Sequence, residues 1–227
     1  MRRRVSLPVF LLVLLLSSFS TRGENTQPMT QESEANIEEI QRFFNEQGKQ
    51  VVTFIGYSGS GYEDQPTMLR IAAGVLDEYD PSDTIVNIGA TPGGIGAVYE
   101  LAKQRGFSTT GIVSTQAREY NAGLSQFADH VFYVADKTWG GFLDGTRQLS
   151  PTSQVMVAVS DVMIGIGGGE VGRDELLSAR SAGKQVRFYP AEFNHDVARK
   201  KARDKGLSEP TDFGGAAAAA FEAKTDP

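Results

Sequence analysis

The sequence predicts an α/β domain in which a mostly parallel sheet is covered by helices on both faces. Short, nearly continuous apolar segments alternate along the chain with longer segments whose apolar residues recur at helical spacing. Strands that are apolar on both sides are typical of parallel sheets, because helices cover both faces. Glycine-rich turns follow three of the apolar segments. In such sheets ligands bind at the carboxyl ends of the strands, where these turns fall.

Six strands are predicted, at residues 51–55, 84–88, 109–114, 130–135, 161–166 and 185–189. Helices are predicted at residues 66–79, 97–104, 170–182 and 196–205, with a low-complexity helical tail at 216–220. An amphipathic helix carrying Ile37, Ile40, Phe43 and Phe44 precedes the first strand, and we expect it to pack against the sheet. The segment 136–160 fits a loop followed by either a short helix or a strand.

The N-terminal residues indicate a processing signal rather than part of the fold. Three arginines, Arg2 to Arg4, precede an apolar run from Val9 to Leu16, and small residues follow. This run is short for a membrane anchor, which needs about 20 apolar residues. We therefore expect a signal peptide at residues 1–23, a polar linker at 24–35 and a single domain at 36–227. The mature protein would be exported, with no stable membrane span.

Composition excludes several classes of site and partner. The chain has no cysteine, which removes thiolate nucleophiles and cysteine–zinc sites. Its formal net charge is −6, and no basic stripe marks it as a nucleic-acid binder. His130 and His195 have no acidic or histidine partner at metal-ligand spacing, so we expect no metal site. No cofactor is predicted.

The three glycine-rich turns predict a site for a small phosphorylated or nucleotide-like ligand. A turn with few side chains that opens a helix exposes backbone N–H groups, and the helix dipole favours an anion there. Each turn could instead be a tight connection without a ligand, since glycine also permits positive φ and close packing. The candidate ligand-binding residues are Gly56, Ser58, Gly59, Ser60 and Gly61 in the first turn, Gly89, Thr91, Gly93, Gly94 and Gly96 in the second, and Gly167, Gly168, Gly169, Glu170, Gly172 and Arg173 in the third.

The second turn also looks like the glycine turn of short-chain dehydrogenases, and Tyr99 and Lys103 mimic their catalytic pair. In that family the tyrosine lies on a much later helix than the one after the glycine turn. Here both residues lie on the very next helix. We therefore interpret them as ordinary helix residues that point away from any hydride site.

From about Val51 to Tyr189 the order and spacing of the motifs resemble the SLOG superfamily, which includes LOG-type, DprA-like and molybdenum-cofactor carrier proteins. The family has an early Ser/Gly turn, a middle GGxxG-type turn and a late PGGxGTxxE or GGGxGTxxE motif. Gly167 to Gly169 stand where the late motif has its glycines, and Glu175 where it has its glutamate. The resemblance implies a three-layer Rossmann-like domain, a nucleotide-like ligand and a homodimer.

The chain departs from the family at two places. The Gly-Thr pair of the late motif is Val171-Gly172 here. The Arg-Lys pair of the catalytic LOG enzymes falls on Thr152 and Ser153, while Met156 fits the methionine that follows. In the enzymes this arginine steadies the anionic ligand and the glutamate assists glycosidic cleavage, which makes Glu175 the candidate catalytic residue. Arg147 or Arg173 could substitute for the arginine.

These observations leave three functions open. The first is an exported binding protein, a sensor or carrier of a nucleotide-like phosphate ester, which the missing arginine favours. The second is an N-glycosidic phosphoribohydrolase that acts on nucleoside monophosphates through Glu175. The third is a structural domain whose turns hold no ligand. We interpret Trp139 as a residue that packs locally rather than as one that stacks on a ligand base.

Overall fold

The computed structural model of this 227-residue chain describes residues 30–59 and 61–222. The expected signal peptide, the first part of the expected linker and Ser60 of the first glycine turn lie outside these residues. Within the described residues no helix combines the length and the apolar character that a bilayer-spanning helix needs.

The described residues form one seven-stranded sheet in which every pair of neighbouring strands is parallel. The strand order across the sheet is β1-β5-β4-β3-β2-β6-β7. The strands are β1 (Gln31–Glu34), β2 (Gln50–Gly56), β3 (Thr84–Ile88), β4 (Ser108–Ser114), β5 (His130–Val134), β6 (Val162–Ile166) and β7 (Gln185–Tyr189). The predicted fold class is confirmed, and the six predicted strands are present within two residues of their expected bounds.

Helices cover both faces of the sheet and make two separate apolar cores. The helices are α1 (Ile37–Gln47), α2 (Gln65–Leu76), α3 (Ala97–Gln104), α4 (Gln116–Glu119), α5 (Pro151–Val159), α6 (Glu170–Ser181), α7 (His195–Asp204) and α8 (Gly215–Phe221). Helices α2 and α3 bury residues such as Met68 and Val98 on one face. Helices α1, α5 and α6 bury Ile40, Val155 and Leu176 on the other. The arrangement is therefore three-layered.

Strand β1 corrects the expectation that residues 24–35 form a linker. Its sequence, Gln-Glu-Ser-Glu, has no apolar residue, yet it pairs in parallel with β5 at the edge of the sheet. Side chains reinforce the pairing: Glu32 accepts a hydrogen bond from the Tyr133 hydroxyl at 3.1 Å, and Ser33 contacts the His130 ring at 3.1 Å. Backbone hydrogen bonds to β5 hold this strand in the sheet, and the pattern of apolar residues gives no sign of them.

Two features of the topology determine where a site can form. Strand β2 lies between β3 and β6, and the chain proceeds from β2 toward β3, β4 and β5 before returning to β6 on the other side. The carboxyl end of β2 is therefore the point at which the strand order reverses, where ligands of open α/β sheets bind. The segment 136–160 begins as a loop and continues as α5. Its last part is therefore a helix and not a strand.

Candidate functional site

A cleft of about 740 Å³ lies at the carboxyl ends of β2, β3, β4 and β6. Its size is within the range of small-molecule sites. Apolar side chains form much of its wall, among them Ile95, Ile112, Leu124, Met156 and Phe193. Parts of all three glycine-rich turns reach it, and nine of the predicted site residues line it: Gly56, Ser58, Gly59, Gly89, Thr91, Gly169, Glu170, Gly172 and Glu175.

The other described candidates lie beside the cleft rather than on its wall: Gly61, Gly93, Gly94, Gly96, Gly167, Gly168 and Arg173. Two of these glycines have evident packing roles. Gly94 has φ +60°, and an added Cβ would lie 2.1 Å from the carbonyl oxygens of Tyr57 and Ser58. Gly167 has φ +57°, and an added Cβ would lie 2.7 Å from the Tyr57 ring. These positions support the turns by close backbone packing.

The third turn divides into a buried half and an open half. The carbonyl of Gly168 accepts a hydrogen bond from the Ala217 N–H of α8 at 3.0 Å, so this half lies beneath the C-terminal helix. Gly169 borders the cleft with φ −84°, and an added Cβ there would meet no atom within 4 Å. The backbone thus favours glycine at Gly168, whose φ is +135°, but any residue can adopt the backbone conformation of Gly169.

The N-terminus of α6 opens into the cleft without a side-chain cap. Gly169 is the N-cap residue and offers no side-chain acceptor to the first-turn N–H groups. The next three residues, Glu170, Val171 and Gly172, all line the cleft. Because the first turn of a helix has no intrahelical acceptor for its N–H groups, these amides and the helix dipole can receive an anion.

Glu175 lies one turn further along α6 and is buried, with 4% of its surface exposed. Ser153 of α5 accepts a hydrogen bond from the Gly141 N–H at 2.7 Å and donates its own hydroxyl to Glu175 Oε1 at 2.6 Å. Burial raises the pKa of the Glu175 carboxyl to about 7, with a smaller contribution from neighbouring Asp174, while the Ser153 hydrogen bond opposes the rise. Glu175 is therefore a cleft carboxyl that exchanges its proton near neutral pH.

Basic side chains are scarce around the cleft. Lys201 of α7 is the single basic residue among the described residues that line it, whereas Glu170 and Glu175 contribute carboxyls. Arg173 points to Asp174, with Nε 2.9 Å from Oδ1, and does not line the cleft. Arg147 is exposed and also lies off the wall. Neither arginine thus replaces the one that the LOG enzymes place in this region.

Tyr99 differs from the sequence-based interpretation. It is fully buried, its hydroxyl donates to the Thr110 carbonyl at 2.8 Å, and it accepts from the Ala90 N–H at 3.2 Å. Ala90 lines the cleft and has φ +58°, unusual for a residue with a side chain. The Tyr99 hydroxyl therefore binds the backbone of the second turn at Ala90. Tyr99 stabilises this turn and is more than an ordinary helix residue. Lys103, in contrast, forms a partly exposed ion pair with Asp129.

Several cleft residues were not among the sequence candidates, notably Ser114, Trp139, Thr152, Met156 and Lys201. Thr152 sits at the start of α5, where Asp136 Oδ2 accepts its N–H at 2.9 Å. Burial acts to raise the pKa of Asp136, but hydrogen bonds from the N–H groups of Thr152 and Thr138 outweigh it and leave the pKa below its ordinary value. Asp136 thereby caps α5 as a carboxylate.

Trp139 was interpreted as a local packing anchor, but 52% of its surface is exposed at the cleft. The signal that could have indicated its position is the glycine pair that follows it, since both glycines have positive φ and present the tryptophan on a tight turn. Within the described residues no group of three or more His, Asp or Glu side chains is arranged to hold a metal ion.

Comparison with protein-family models gives no match, and no curated protein matches the chain. Solved structures do resemble it. The X-ray structure of TM1055 is 20% identical with a TM-score of 0.44, over 60% of this chain and 72% of that one. The Moco carrier protein from Chlamydomonas reinhardtii is 18% identical with a TM-score of 0.44, over 77% of this chain and 96% of that one.

A further structure of the same carrier is 20% identical with a TM-score of 0.42, over 77% of this chain and 96% of the carrier. At such identities and TM-scores the likeness concerns the fold.

Proposed function

We propose that this protein binds a small nucleotide-like phosphate ester in the cleft and acts as a sensor or carrier of that ligand. One observation carries the proposal. The uncapped N-terminus of α6 opens into a cleft at the point where the strand order reverses. First-turn amides and a helix dipole provide a site for a phosphate without requiring a basic side chain.

The charges around the cleft favour a ligand with one phosphate. Lys201 opposes two carboxyls, Glu170 and Glu175, among the described lining residues. A diphosphate or triphosphate would place several negative charges beside these carboxyls with little compensation. A monophosphate ester needs only the α6 amides and one cation. We therefore expect nucleoside monophosphates to bind more tightly than the corresponding triphosphates.

The residues at the family's Arg-Lys positions favour binding over cleavage. Thr152 and Ser153 stand there, and neither carries a charge that could steady an anionic ligand. Ser153 instead holds the Glu175 carboxyl by a 2.6 Å hydrogen bond. The carboxyl is thus fixed to α5 while no arginine lines the described cleft.

Glu175 also supports a second candidate function, the hydrolysis of a nucleoside monophosphate at its glycosidic bond. A buried cleft carboxyl with a pKa of about 7 suits a general acid or base at neutral pH. Incubation of the protein with nucleoside monophosphates distinguishes the two functions. Binding alone releases no free base above a control without protein, whereas release that disappears in Glu175→Gln would establish hydrolysis.

The anion site is tested by Gly169→Val. The valine adds a side chain at the edge of the cleft, and the backbone φ of −84° accepts it without strain. We expect AMP affinity, measured by calorimetry, to fall about ten- to a hundred-fold, since a hydrogen bond to a charged group contributes about 1.5–3 kcal/mol. The matched control is Gly74→Val, on the exposed side of α2, where an added Cβ likewise meets no atom within 4 Å.

The result separates the proposal from a domain without a ligand. A folded Gly169→Val protein with unchanged AMP affinity would remove the α6 N-terminus from the site. Failure of the unmodified protein to bind any nucleoside monophosphate would favour the purely structural reading. Far-UV circular dichroism and the melting temperature of both variants confirm that any loss of binding is local.

We further propose that the protein is exported after cleavage between Ser20 and Glu24. The basic N-terminal residues and the short apolar run support this proposal. N-terminal sequencing of the protein recovered from outside the cytoplasm should begin in that interval. A membrane-bound protein that retains residues 9–16 would contradict it. Assembly as a homodimer, which the SLOG resemblance implies, stays a prediction for size-exclusion chromatography with light scattering.

A further inference from the structure

Exposed large hydrophobic side chains gather at one edge of the cleft. Four such residues are exposed in the described part of the chain. The Tyr120 and Trp139 rings are in contact, and Val171 lies beside Gly140, the residue after Trp139. Trp139 and Val171 line the cleft. The Tyr120 ring is 64% exposed and lies 5.9 Å from the Trp139 ring, centroid to centroid, at an angle of 40°. A cluster of exposed apolar side chains beside a cleft marks a binding surface.

The tryptophan is held in place although half of its surface is exposed. The Gly141 N–H donates to Ser153 at 2.7 Å, and the Phe142 N–H donates to Asp174 at 2.9 Å, so the following residues are fixed to α5 and α6. On the other side the Gly140 N–H donates to the Thr138 hydroxyl at 3.2 Å. The loop therefore presents an aromatic ring from a rigid support, which reduces the entropy lost when a ligand binds.

The same loop lies against the first turn of α6. A Cβ added at Gly140 would stand 2.9 Å from Val171 Cγ1, and one added at Gly141 would stand 3.4 Å from Val171 Cα. The aromatic edge of the cleft is thus adjacent to the helix N-terminus that the proposed phosphate would occupy. A nucleotide with its phosphate at α6 can therefore extend along the cleft toward Trp139, with its base beyond the sugar.

We propose that Trp139, supported by Tyr120, is a stacking platform that recognises a planar heteroaromatic ring, the nucleobase of the ligand. The assignment rests on the proposed function for the phosphate end but concerns a separate contact. Aromatic side chains bind bases through their π-faces, and this contact tolerates different bases because every base has such a face. Trp139 contacts the ring, whereas Tyr120 positions Trp139.

The chain contains one tryptophan, so its fluorescence reports directly on this platform. Titration of the unmodified protein with AMP, adenosine and ribose 5-phosphate separates the contributions of base and phosphate. We expect AMP and adenosine to quench the fluorescence at saturation. Ribose 5-phosphate should bind through its phosphate without comparable quenching, because it has no aromatic ring.

Calorimetry on variants then measures the contact without relying on fluorescence. Trp139→Ala should lower AMP affinity at least about ten-fold, Trp139→Phe should lower it less, and neither should change ribose 5-phosphate affinity. Tyr120→Ala should have a smaller effect on AMP of the same sign. Leu207→Ala, at an exposed apolar side chain remote in sequence from the platform, is the matched control and should bind AMP as the unmodified protein does.

Two outcomes overturn the platform. One is equal AMP affinity in Trp139→Ala and the unmodified protein. The other is quenching by ribose 5-phosphate as strong as by AMP, which would mean that the sugar rather than the base contacts the ring. Adenosine binding that requires Trp139, together with AMP binding that is insensitive to Gly169→Val, would instead uphold the platform and contradict the phosphate site. Absence of binding by both AMP and adenosine contradicts both proposals.

Discussion

The Ser153 hydroxyl donates a 2.6 Å hydrogen bond to the Glu175 carboxyl and joins α5 to α6 beneath the cleft. Because Ser153 also accepts the Gly141 N–H, the bond continues into the loop that carries Trp139. Hydrogen bonds thus connect the Glu175 carboxyl on α6, Ser153 on α5 and the loop that carries Trp139. A change in the protonation of Glu175 acts on these hydrogen bonds and on the stability of the fold.

Glu175→Gln should change how stability depends on pH. The folded protein holds the carboxyl proton more tightly than the unfolded chain, since the folded pKa is about 7 against an ordinary value of 4.5. The folded state therefore binds more protons between these values, and the free energy of unfolding falls as pH rises through this interval, by about 3 kcal/mol from this group. Glutamine removes the titration while keeping a hydrogen-bonding side chain.

Urea unfolding at about pH 5 and about pH 8 measures the effect. Relative to the unmodified protein, Glu175→Gln should gain stability toward the higher pH, with little difference at the lower one. Gln154→Glu places a carboxyl at a partly buried position on α5, where the glutamine side chain donates to the Leu149 carbonyl, and it controls for nonspecific charge effects. A pH-independent difference between Glu175→Gln and the unmodified protein would contradict the raised pKa.

Tyr99→Phe should destabilise the protein by about 1–3 kcal/mol, although the sequence indicated only an ordinary helix residue at this position. The substitution leaves the buried Ala90 N–H without the acceptor that the hydroxyl provides at 3.2 Å. Ala90 holds a positive φ beside the cleft, so AMP affinity should fall as well. Thermal unfolding and calorimetry check the two effects, and a variant with unchanged melting temperature would show that the hydroxyl is dispensable.

Gly167→Ala and Gly169→Ala should differ although both lie in the same turn. Gly167 has φ +57°, and its Cβ would approach Tyr57 at 2.7 Å and the Ala191 carbonyl oxygen at 2.8 Å. We expect Gly167→Ala to lower the free energy of unfolding by about 1–3 kcal/mol, because of backbone strain and crowding. Gly169→Ala meets no atom within 4 Å and should be close to neutral. Equal costs in urea unfolding would mean that the turn adopts another conformation.

Lys201→Met should weaken AMP binding several-fold and leave adenosine binding unchanged. Lys201 Nζ lies 5.1 Å from the centroid of the Phe193 ring, and methionine replaces this charged end with an apolar one, so the charge that favours a phosphate is lost. The dependence of AMP affinity on salt should also become weaker, since screening acts on that charge. Isothermal calorimetry at two salt concentrations measures both effects. An equal loss for adenosine would place Lys201 at the base rather than at the phosphate.

The sequence predicted those strands and helices whose residue types are determined by packing in the core. Strand β3 was predicted at its observed bounds, because it is buried and buried parallel strands require mostly apolar or β-branched residues. Strand β1 was missed, since an edge strand with exposed side chains depends on backbone pairing and carries no apolar pattern. Hydrogen bonds to β5 alone determine that residues 31–34 belong to the sheet.

The sequence predicted that the glycine-rich turns lie at the carboxyl ends of the strands, but not which of their residues face the cleft. The three turns do meet at one end of the sheet, because their positions follow from the strand order. Which glycine faces the cleft depends on φ and on distant neighbours, such as Ala217 beside Gly168, and no local pattern records these. Trp139 reaches the cleft through hydrogen bonds to α5 and α6, contacts between segments far apart in the sequence.

The packing of α8 on the third turn has a consequence for biosynthesis. Ala217 donates its N–H to the Gly168 carbonyl, and the Tyr57 hydroxyl donates to the Gly214 carbonyl at 2.7 Å, so residues near the end of the described chain support the cleft floor. A nascent chain that has not yet emerged beyond α7 lacks these supports. We therefore expect a chain truncated before α8 to lose these two supports of the third turn and of Tyr57.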